Sequence, residues 1–284
     1  MSQPRGGAVV TGGGRGLGRE IAVRLARAGF TVHVTDVDAV LAEQVAAELA
    51  AEADVWAGGA AFASVLDVRD AAACRAVAAT TVDRAGSLAL WVNNAGVLFT
   101  GPAWEHDDES RRLMLDVNAH GTMHGTMAAL EVMRPAHRGH VLNIASLAGL
   151  VPVPGEGVYA ASKHAVLGLS TSALADLRIA GERDIHISCI CPDGMWTPML
   201  QDRLEDPGAS LSFSGVLLQP GEVADAVMRV VDRPRPVVSV PRWRGAQARL
   251  FDLAPRVAVA SAPLVVRLSR IQQRATARRL RSQG

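Results

Sequence analysis

Lysine and tyrosine are almost absent from this chain of 284 residues, which contains one of each, Lys163 and Tyr159. Every other basic side chain among the 29 lysines and arginines is an arginine. An ammonium is a compact charge on a thin stem, whereas a guanidinium is a broad planar fork. The single lysine therefore indicates a place that needs a small cation, and it stands four residues after the single tyrosine.

Cysteine and long apolar runs are also scarce. The three cysteines, Cys74, Cys189 and Cys191, are odd in number and lack metal-ligand spacing. They argue against a disulfide framework and a metal site, and favour a reducing cytoplasm. No signal peptide pattern precedes the apolar run at Ala8, which supports the same location. The late apolar run 257–266 is shorter than the roughly 20 residues that cross a bilayer.

Composition predicts a soluble globular protein, with 49% apolar and 4% aromatic residues. The net charge of +1 conceals a basic end, because residues 235–284 carry eleven arginines and one acid, Asp252. This segment has a charge of +10, which leaves about −9 for the rest.

Strand and helix patterns alternate along the chain, which predicts an α/β fold with a single doubly wound parallel sheet of the Rossmann type. The strands are predicted at 8–11, 31–35, 61–66, 88–92, 141–145, 185–191 and 237–240. Helices are predicted at 19–29, 39–52, 71–84, 109–133, from 157 onward, and at 221–231. Residues 1–241 are expected to form the dinucleotide-binding and catalytic domain, and 242–284 a basic, helical C-terminal extension.

The first strand leads into a glycine turn and then a helix, as dinucleotide sites do. Glycines let the backbone approach a pyrophosphate, and the helix end offers free N–H groups. The turn contains Gly12, Arg15, Gly16, Leu17 and Gly18, with the spacing G-x-x-x-G-x-G. The alternative is a flexible glycine loop without a ligand.

Asp36 ends the second strand and predicts the type of cofactor. A carboxylate there accepts hydrogen bonds from ribose hydroxyls and repels a 2′-phosphate, which favours NAD over NADP. Arg15 points weakly to NADP, since a guanidinium can pair with that phosphate.

Tyr159 and Lys163 are predicted to share one helix face because they are four residues apart. A nearby cation favours the phenolate, so Lys163 is expected to lower the pKa of Tyr159 and to suit it to proton transfer. Ser146 ends the preceding strand, where its hydroxyl can donate to the same substrate oxygen. The alternative is a solvated helix face with no catalytic role.

Together these residues resemble the short-chain dehydrogenase/reductase family, over roughly residues 5–241. The matching positions are Thr11, Gly12, Gly16, Gly18, Asp67, the segments 93–96 and 192–197, Asn118, Ser146, Tyr159 and Lys163.

The resemblance implies a role for each matching residue. Tyr159 is the expected acid and base, Lys163 also holds the nicotinamide ribose, Ser146 orients the substrate, and Asn118 holds a relay water. The cofactor contacts implied are Asp67 and Val68 on adenine, Asn94 near the adenosine ribose, and Thr197 with the Met195 backbone at the carboxamide. Ala95, Gly96 and Pro192 are also expected to bind the cofactor. The family also implies a homodimer or homotetramer.

One position departs from the family pattern, which usually has Pro-Gly where this chain has Pro192-Asp193-Gly194. Asp193 is interpreted as facing solvent, with a substrate contact as the alternative. The expected pocket is apolar, formed by Leu98, Leu147, Val153, Trp196, Met199, Leu200, Leu204, Leu211 and Phe213.

The function expected is an NAD-dependent oxidoreductase that interconverts a secondary alcohol and a ketone. The apolar lining predicts a bulky hydrophobic substrate, such as a steroid, terpenoid, retinoid or aryl alcohol. The alternatives are an NADP-dependent carbonyl reductase, an isomerase or dehydratase that retains its nicotinamide, and a non-catalytic nucleotide-binding protein.

The C-terminal extension is predicted to form amphipathic helices, in which Leu264, Leu268 and Ile271 share one face among arginines. The first expectation is packing within the oligomer or over the pocket, and the second is peripheral attachment to an anionic membrane. Disorder is a further alternative, and nucleic acid binding is not expected.

Overall fold

The computed structural model describes residues 5–52, 60–215 and 217–281. Within these ranges seven strands form one parallel sheet in the order β3-β2-β1-β4-β5-β6-β7. The strands are β1 (Gly7–Thr11), β2 (Thr31–Asp36), β3 (Ala61–Val65), β4 (Leu88–Asn93), β5 (Gly139–Ile144), β6 (Ile185–Pro192) and β7 (Val237–Val240). The predicted doubly wound parallel sheet is therefore confirmed.

The helices of the described residues alternate with these strands. They are α1 (Gly16–Arg27), α2 (Ala39–Ala51), α3 (Ala71–Ala85), α4 (Asp108–Leu115), α5 (Gly121–Met133), α6 (Gly157–Ile179), α7 (Pro198–Gln201), α8 (Pro220–Asp232), α9 (Arg242–Asp252) and α10 (Pro255–Arg281). Short 3-10 helices cover Leu147–Gly149 and Pro207–Phe213. The helix predicted at 109–133 is interrupted, because Asp116–His120 forms a π-helical turn between α4 and α5.

The sheet is buried on both faces, which explains why its strands are apolar runs. Neighbouring residues of β1 point to opposite faces, so Val10 packs in one core layer and Val9 in the other. Trp91 and Met133 lie in the second layer and are fully buried.

A buried polar network joins the ends of β4 and β5. The amide of Asn93 accepts from Trp91 Nε1 at 2.7 Å and donates to Asn143 Oδ1 at 2.8 Å. Asn143 in turn donates to Ser170 Oγ of α6 at 2.9 Å. Each buried group gains a partner, and the network ties α6 to the sheet edge that carries the site.

The glycine turn lies where the strand order reverses, since β2 and β4 flank β1 on opposite sides. Ligands of such sheets bind in the crevice at this point. Gly12 and Gly16 have positive φ values of 61° and 54°, which glycine adopts without strain. Gly18 permits a close approach, because a Cβ there would lie 2.1 Å from Gly12 O.

The C-terminal extension is helical and packs on its own chain. Gln273 Nε2 donates to Asp206 O at 2.8 Å, and Gln272 Nε2 donates to Gly215 O at 2.8 Å. The predicted apolar face points outward, since Leu264, Leu268 and Ile271 are all more than half exposed. None of the described helices is long and apolar enough to cross a membrane.

The domain division after residue 241 stays a prediction, and the termini 1–4 and 282–284 lie outside the described residues.

Two glycine substitutions test the close approach at the turn. Gly18→Ala should lower the free energy of unfolding by about 1–3 kcal/mol, because the methyl group meets a backbone carbonyl. Gly168→Ala is the matched control, since its Cβ would meet nothing within 4 Å inside α6. It should raise stability by about 0.5–1 kcal/mol. Urea unfolding measures both, and equal effects of the two variants would contradict the packing described.

Candidate active site

Ser146, Tyr159 and Lys163 meet at the carboxyl end of β5. Ser146 follows that strand, while Tyr159 and Lys163 lie in the first turns of α6, whose amino end reaches the sheet edge. Lys163 is buried, and its Nζ donates to Ile144 O at 3.0 Å. The same Nζ lies 5.6 Å from the centroid of the Tyr159 ring. The helical spacing therefore brings the lysine and the tyrosine together.

Burial raises the pKa of Tyr159, although part of the side chain remains open to a cavity. The charge of Glu156 raises this pKa further, and a hydrogen bond with Ser146 acts against both. The net direction is opposite to the predicted one, because the loss of hydration outweighs the hydrogen bond with Ser146. Burial therefore favours the protonated phenol.

Burial also lowers the pKa of Lys163 to about 8, while Cys189 and Cys191 act in the raising direction. The ammonium lies close to the loop after β4, because a Cβ on Gly96 would be 3.6 Å from Lys163 Nζ. The same Cβ would be 3.1 Å from Asn118 Oδ1, so Gly96 leaves room for both groups.

Asn118 lies in the π-helical turn and is fully buried. Its Oδ1 accepts from Val97 N at 2.8 Å, and its Nδ2 donates to Val97 O at 2.9 Å and Ser162 Oγ at 3.0 Å. The side chain therefore anchors the loop after β4 to α6, which explains a polar group at this position. Its role in a water relay stays a prediction.

Asp36 is held against the glycine turn. Its Oδ2 accepts from Gly14 N at 3.0 Å and its Oδ1 from Asp38 N at 3.1 Å. Arg15 is exposed at the start of α1, and Leu17 is buried beneath the turn. The carboxylate is thus fixed at the crevice where a nucleotide ribose would be recognised.

The residues expected around the adenosine have contacts of their own. Asp67 forms an ion pair with Arg69 at 2.5 Å, and this hydrogen-bonded partner lowers the pKa of the carboxyl. Val68 is buried in the core, so its side chain faces away from the crevice surface. Asn94 Nδ2 donates to Thr11 O and Gly12 O, both at 3.0 Å, and Ala95 N donates to Thr11 Oγ1 at 3.1 Å. Asn94 and Ala95 thereby fasten the loop after β4 to the glycine turn.

The loop after β6 closes over the opposite side of the crevice. Pro192, Met195 and Thr197 line the same cavity as Tyr159. A Cβ on Gly16 would lie 3.7 Å from Thr197 Cγ2, so this loop lies close to the glycine turn.

A cavity of about 300 Å³ opens beside Tyr159 and Ser146. Of the apolar residues expected to line it, Leu98, Leu147, Val153, Met199, Leu200 and Leu211 do so. Trp196, Leu204 and Phe213 do not line it, so their assignment to the pocket is wrong. They pack beside the cavity in a cluster with Ala209 and with Leu200, which borders both. The C-terminal extension forms a further wall of the cavity, and the sequence did not predict which of its residues line it. These residues are Arg244, Gln247, Ala248, Phe251, Ala258, Ser261, Ala262 and Val265.

Asp193 does not face solvent, which corrects the interpretation from sequence. Its side chain is 11% exposed, and its Oδ2 accepts from Arg244 Nε at 2.6 Å. Arg244 also donates to Ser214 Oγ at 3.2 Å. Asp193, which departs from the family pattern, thus forms an ion pair with Arg244 in the first turn of α9. This ion pair holds the C-terminal extension at the cavity.

Glu156 is a residue of the site that the sequence argument missed. It is 2% exposed yet lines the cavity, and its Oε1 accepts from Ser212 Oγ at 2.6 Å. Burial raises its pKa to about 7, while Ser212 and Arg203 act in the lowering direction. One feature of the sequence could have indicated Glu156. It stands three residues before Tyr159, which places both residues at the start of the same helix.

Comparison with known proteins identifies the family. The family model described as short chain dehydrogenase matches residues 7–208. The chain therefore belongs to the short-chain dehydrogenase family, and it is a nicotinamide-dependent oxidoreductase of the alcohol dehydrogenase and ketoreductase class.

Relatives with known names and structures agree with this assignment. The chain is 33% identical over 228 residues to the cyclopentanol dehydrogenase of Comamonas testosteroni, covering 78% of this chain and 88% of that protein. The crystal structure of levodione reductase matches with a TM-score of 0.76 and 27% identity, over 86% of this chain and 98% of that one. A short-chain dehydrogenase/reductase from Burkholderia phymatum in complex with NAD matches with a TM-score of 0.77 and 27% identity, over 91% and 96%.

Glu156 should make stability depend on pH. Its pKa rises from 4.5 to about 7 on folding. At this carboxyl the folded protein therefore binds more protons between these values, and the contribution of Glu156 to the free energy of unfolding falls as pH rises from about 4.5 to 7. The loss should be at most about 3 kcal/mol.

Glu156→Gln should remove this contribution, as urea unfolding at several pH values would measure. Glu109→Gln, at an exposed position, is the matched control and should keep the wild-type slope. An unchanged slope in Glu156→Gln would contradict the assignment.

Proposed function

We propose that the chain is an NAD-dependent oxidoreductase that interconverts a secondary alcohol and a ketone on a bulky hydrophobic substrate. The observation that carries the proposal is the meeting of Tyr159 and Ser146 at a largely apolar cavity whose wall also lies close to the glycine turn. A substrate oxygen in that cavity would reach both hydroxyls, beside the place for a nicotinamide.

Each residue then has a defined task. A bound nicotinamide supplies the acceptor or donor of the hydride. Tyr159 exchanges the proton with the substrate oxygen, and Ser146 donates a hydrogen bond to that oxygen. The protonated phenol is the form needed to reduce a ketone. Lys163 and Asn118 keep the roles inferred from the resemblance, the ribose contact and the relay water.

The cofactor would lie along the crevice at the carboxyl ends of the strands. The glycine turn fits a pyrophosphate, since α1 presents its amino end there and a Cβ at Gly18 would have no room. The proposed contacts are Gly12, Arg15, Gly16, Leu17 and Gly18 at the phosphates, Asp36 at the ribose, Asp67 and Val68 at adenine through their backbone, Asn94, Ala95 and Gly96 on the loop after β4, and Pro192, Met195 and Thr197 at the carboxamide.

The hydrophobic substrate is supported by the apolar lining and by the extension that covers the cavity. A relative named for cyclopentanol, a small cyclic secondary alcohol, supports the reaction and an apolar substrate, and it does not bear on the bulk of that substrate. An NADP-dependent carbonyl reductase and a nicotinamide-retaining isomerase or dehydratase are the alternatives that the tests below separate. We also propose a cytoplasmic homodimer or homotetramer. Peripheral membrane contact through the exposed face of α10 stays a prediction.

Tyr159→Phe should reduce turnover at least about 100-fold while cofactor binding stays nearly unchanged, because only the proton-transferring hydroxyl is lost. Lys163→Arg should also lose most of its turnover, because the buried space beside Ile144 O fits an ammonium and excludes the broader guanidinium group. The rate of nicotinamide absorbance change with a panel of ketones and secondary alcohols measures turnover, and calorimetry measures cofactor binding. Substantial activity in Tyr159→Phe would refute the proposed reaction.

Asp36 should determine the choice of cofactor. Wild type should have a higher kcat/KM with NAD than with NADP, and Asp36→Ala should reduce that ratio by about tenfold or more because the repelling carboxylate is gone. Asp38→Asn is the matched control, since Asp38 caps α2 two residues further on. A wild-type preference for NADP would show that Arg15 outweighs Asp36.

A further inference from the structure

One wall of the substrate cavity is polar, and it is formed by Glu156 and Ser212. Both residues line the cavity, and Ser212 Oγ donates to Glu156 Oε1 at 2.6 Å. Glu156 occupies the N-cap position of α6, with φ −135° and ψ 31°, but its side chain accepts no hydrogen bond from the helix. The carboxyl group is therefore directed away from the free N–H groups of its own helix and toward the cavity.

The backbone around this pair is held by close contacts. Gly155 has a positive φ of 86°, and a Cβ there would lie 2.3 Å from Gly208 O. Gly101 N also donates to Gly155 O at 2.8 Å. On the other side, a Cβ at Gly194 would lie 2.0 Å from Ser212 O. Two glycines are thus required to bring Glu156 and Ser212 together, which is what a preformed binding site needs.

A buried carboxyl in an apolar cavity is costly unless it binds something. The bond from Ser212 uses Oε1, which leaves Oε2 as the oxygen available to a ligand. Glu156 precedes Tyr159 by three residues on the same helix end, and its charge acts on the phenol. A ligand that reaches both groups must therefore carry two oxygen functions on one apolar skeleton.

We propose that Glu156 and Ser212 form a specificity subsite that recognises a second hydroxyl or carbonyl group on the substrate. This inference rests on the proposed reaction at Tyr159 and names its substrate class more closely: a cyclic, largely apolar ketone or alcohol with an additional oxygen function. A hydroxyl donates to the carboxylate, while a carbonyl accepts from Ser212 or from the protonated carboxyl.

The test compares substrates that differ only in the second oxygen. Cyclohexanone, 3-hydroxycyclohexanone, 4-hydroxycyclohexanone and cyclohexane-1,4-dione are reduced by wild type, Glu156→Gln, Glu156→Leu and Ser212→Ala. Ser261→Ala is the matched control, because Ser261 lines the cavity but donates to Ala258 O of its own helix. Circular dichroism and thermal unfolding establish that each variant is folded.

For wild type we expect kcat/KM about tenfold or more higher for at least one bifunctional substrate than for cyclohexanone, mainly through a lower KM. Glu156→Leu and Ser212→Ala should bring this ratio close to one. The readout is the ratio measured within each variant, because the charge of Glu156 also acts on Tyr159 and its loss changes the rate with every substrate. Glu156→Gln should keep part of the preference because an amide still forms hydrogen bonds, and Ser261→Ala should keep all of it.

Three results would overturn the inference, and they differ in whether the proposed function stands. If wild type reduces these ketones without any preference, or if both Glu156→Leu and Ser212→Ala keep the preference, the subsite is wrong and the proposed function stands. If wild type reduces no ketone and oxidises no alcohol with either cofactor, the proposed function is wrong. The subsite inference is then wrong as well, because it rests on that function.

Discussion

The burial of Lys163 is the constraint on which the rest of the site depends. An ammonium without water is costly, and here the carbonyl of Ile144 supplies a partner at 3.0 Å. That bond connects α6 to the last residue of β5, so the helix that carries Tyr159 is placed relative to the sheet by the lysine itself. The same burial lowers the pKa of Lys163, which makes its charge sensitive to what surrounds it. One side chain thus ties α6 to β5 and brings a charge close to the Tyr159 ring.

A second layer of polar contacts supports that arrangement. Asn93 and Asn143 link β4, β5 and α6, while Asn118 joins the loop after β4 to Ser162. Each amide has its hydrogen bonds satisfied by the protein, so these groups add rigidity without leaving unpaired atoms. Ser146 and Tyr159 stand on elements that this network holds in place. Rigid support of this kind is what proton transfer over a hydrogen-bond distance requires.

Local sequence patterns predicted the sheet and the Tyr159–Lys163 pair because both depend on short-range periodicity. The strands are apolar runs bounded by turns, and a spacing of four residues on a helix fixes a shared face. The partners of Glu156 and Asp193 could not be predicted in this way, since Ser212 and Arg244 are 56 and 51 residues away in sequence. The net direction of the pKa of Tyr159 was missed for a related reason, because burial is a property of the whole fold.

The cavity takes none of its walls from the first strand and helix. Its lining runs from Leu98 to Val265, and Phe251, Ala262 and Val265 come from the last two helices. The glycine turn between β1 and α1 lies outside that lining. A set of variants confined to α9 and α10 would therefore reshape the cavity wall while the glycine turn and the Tyr159–Lys163 pair keep their residues.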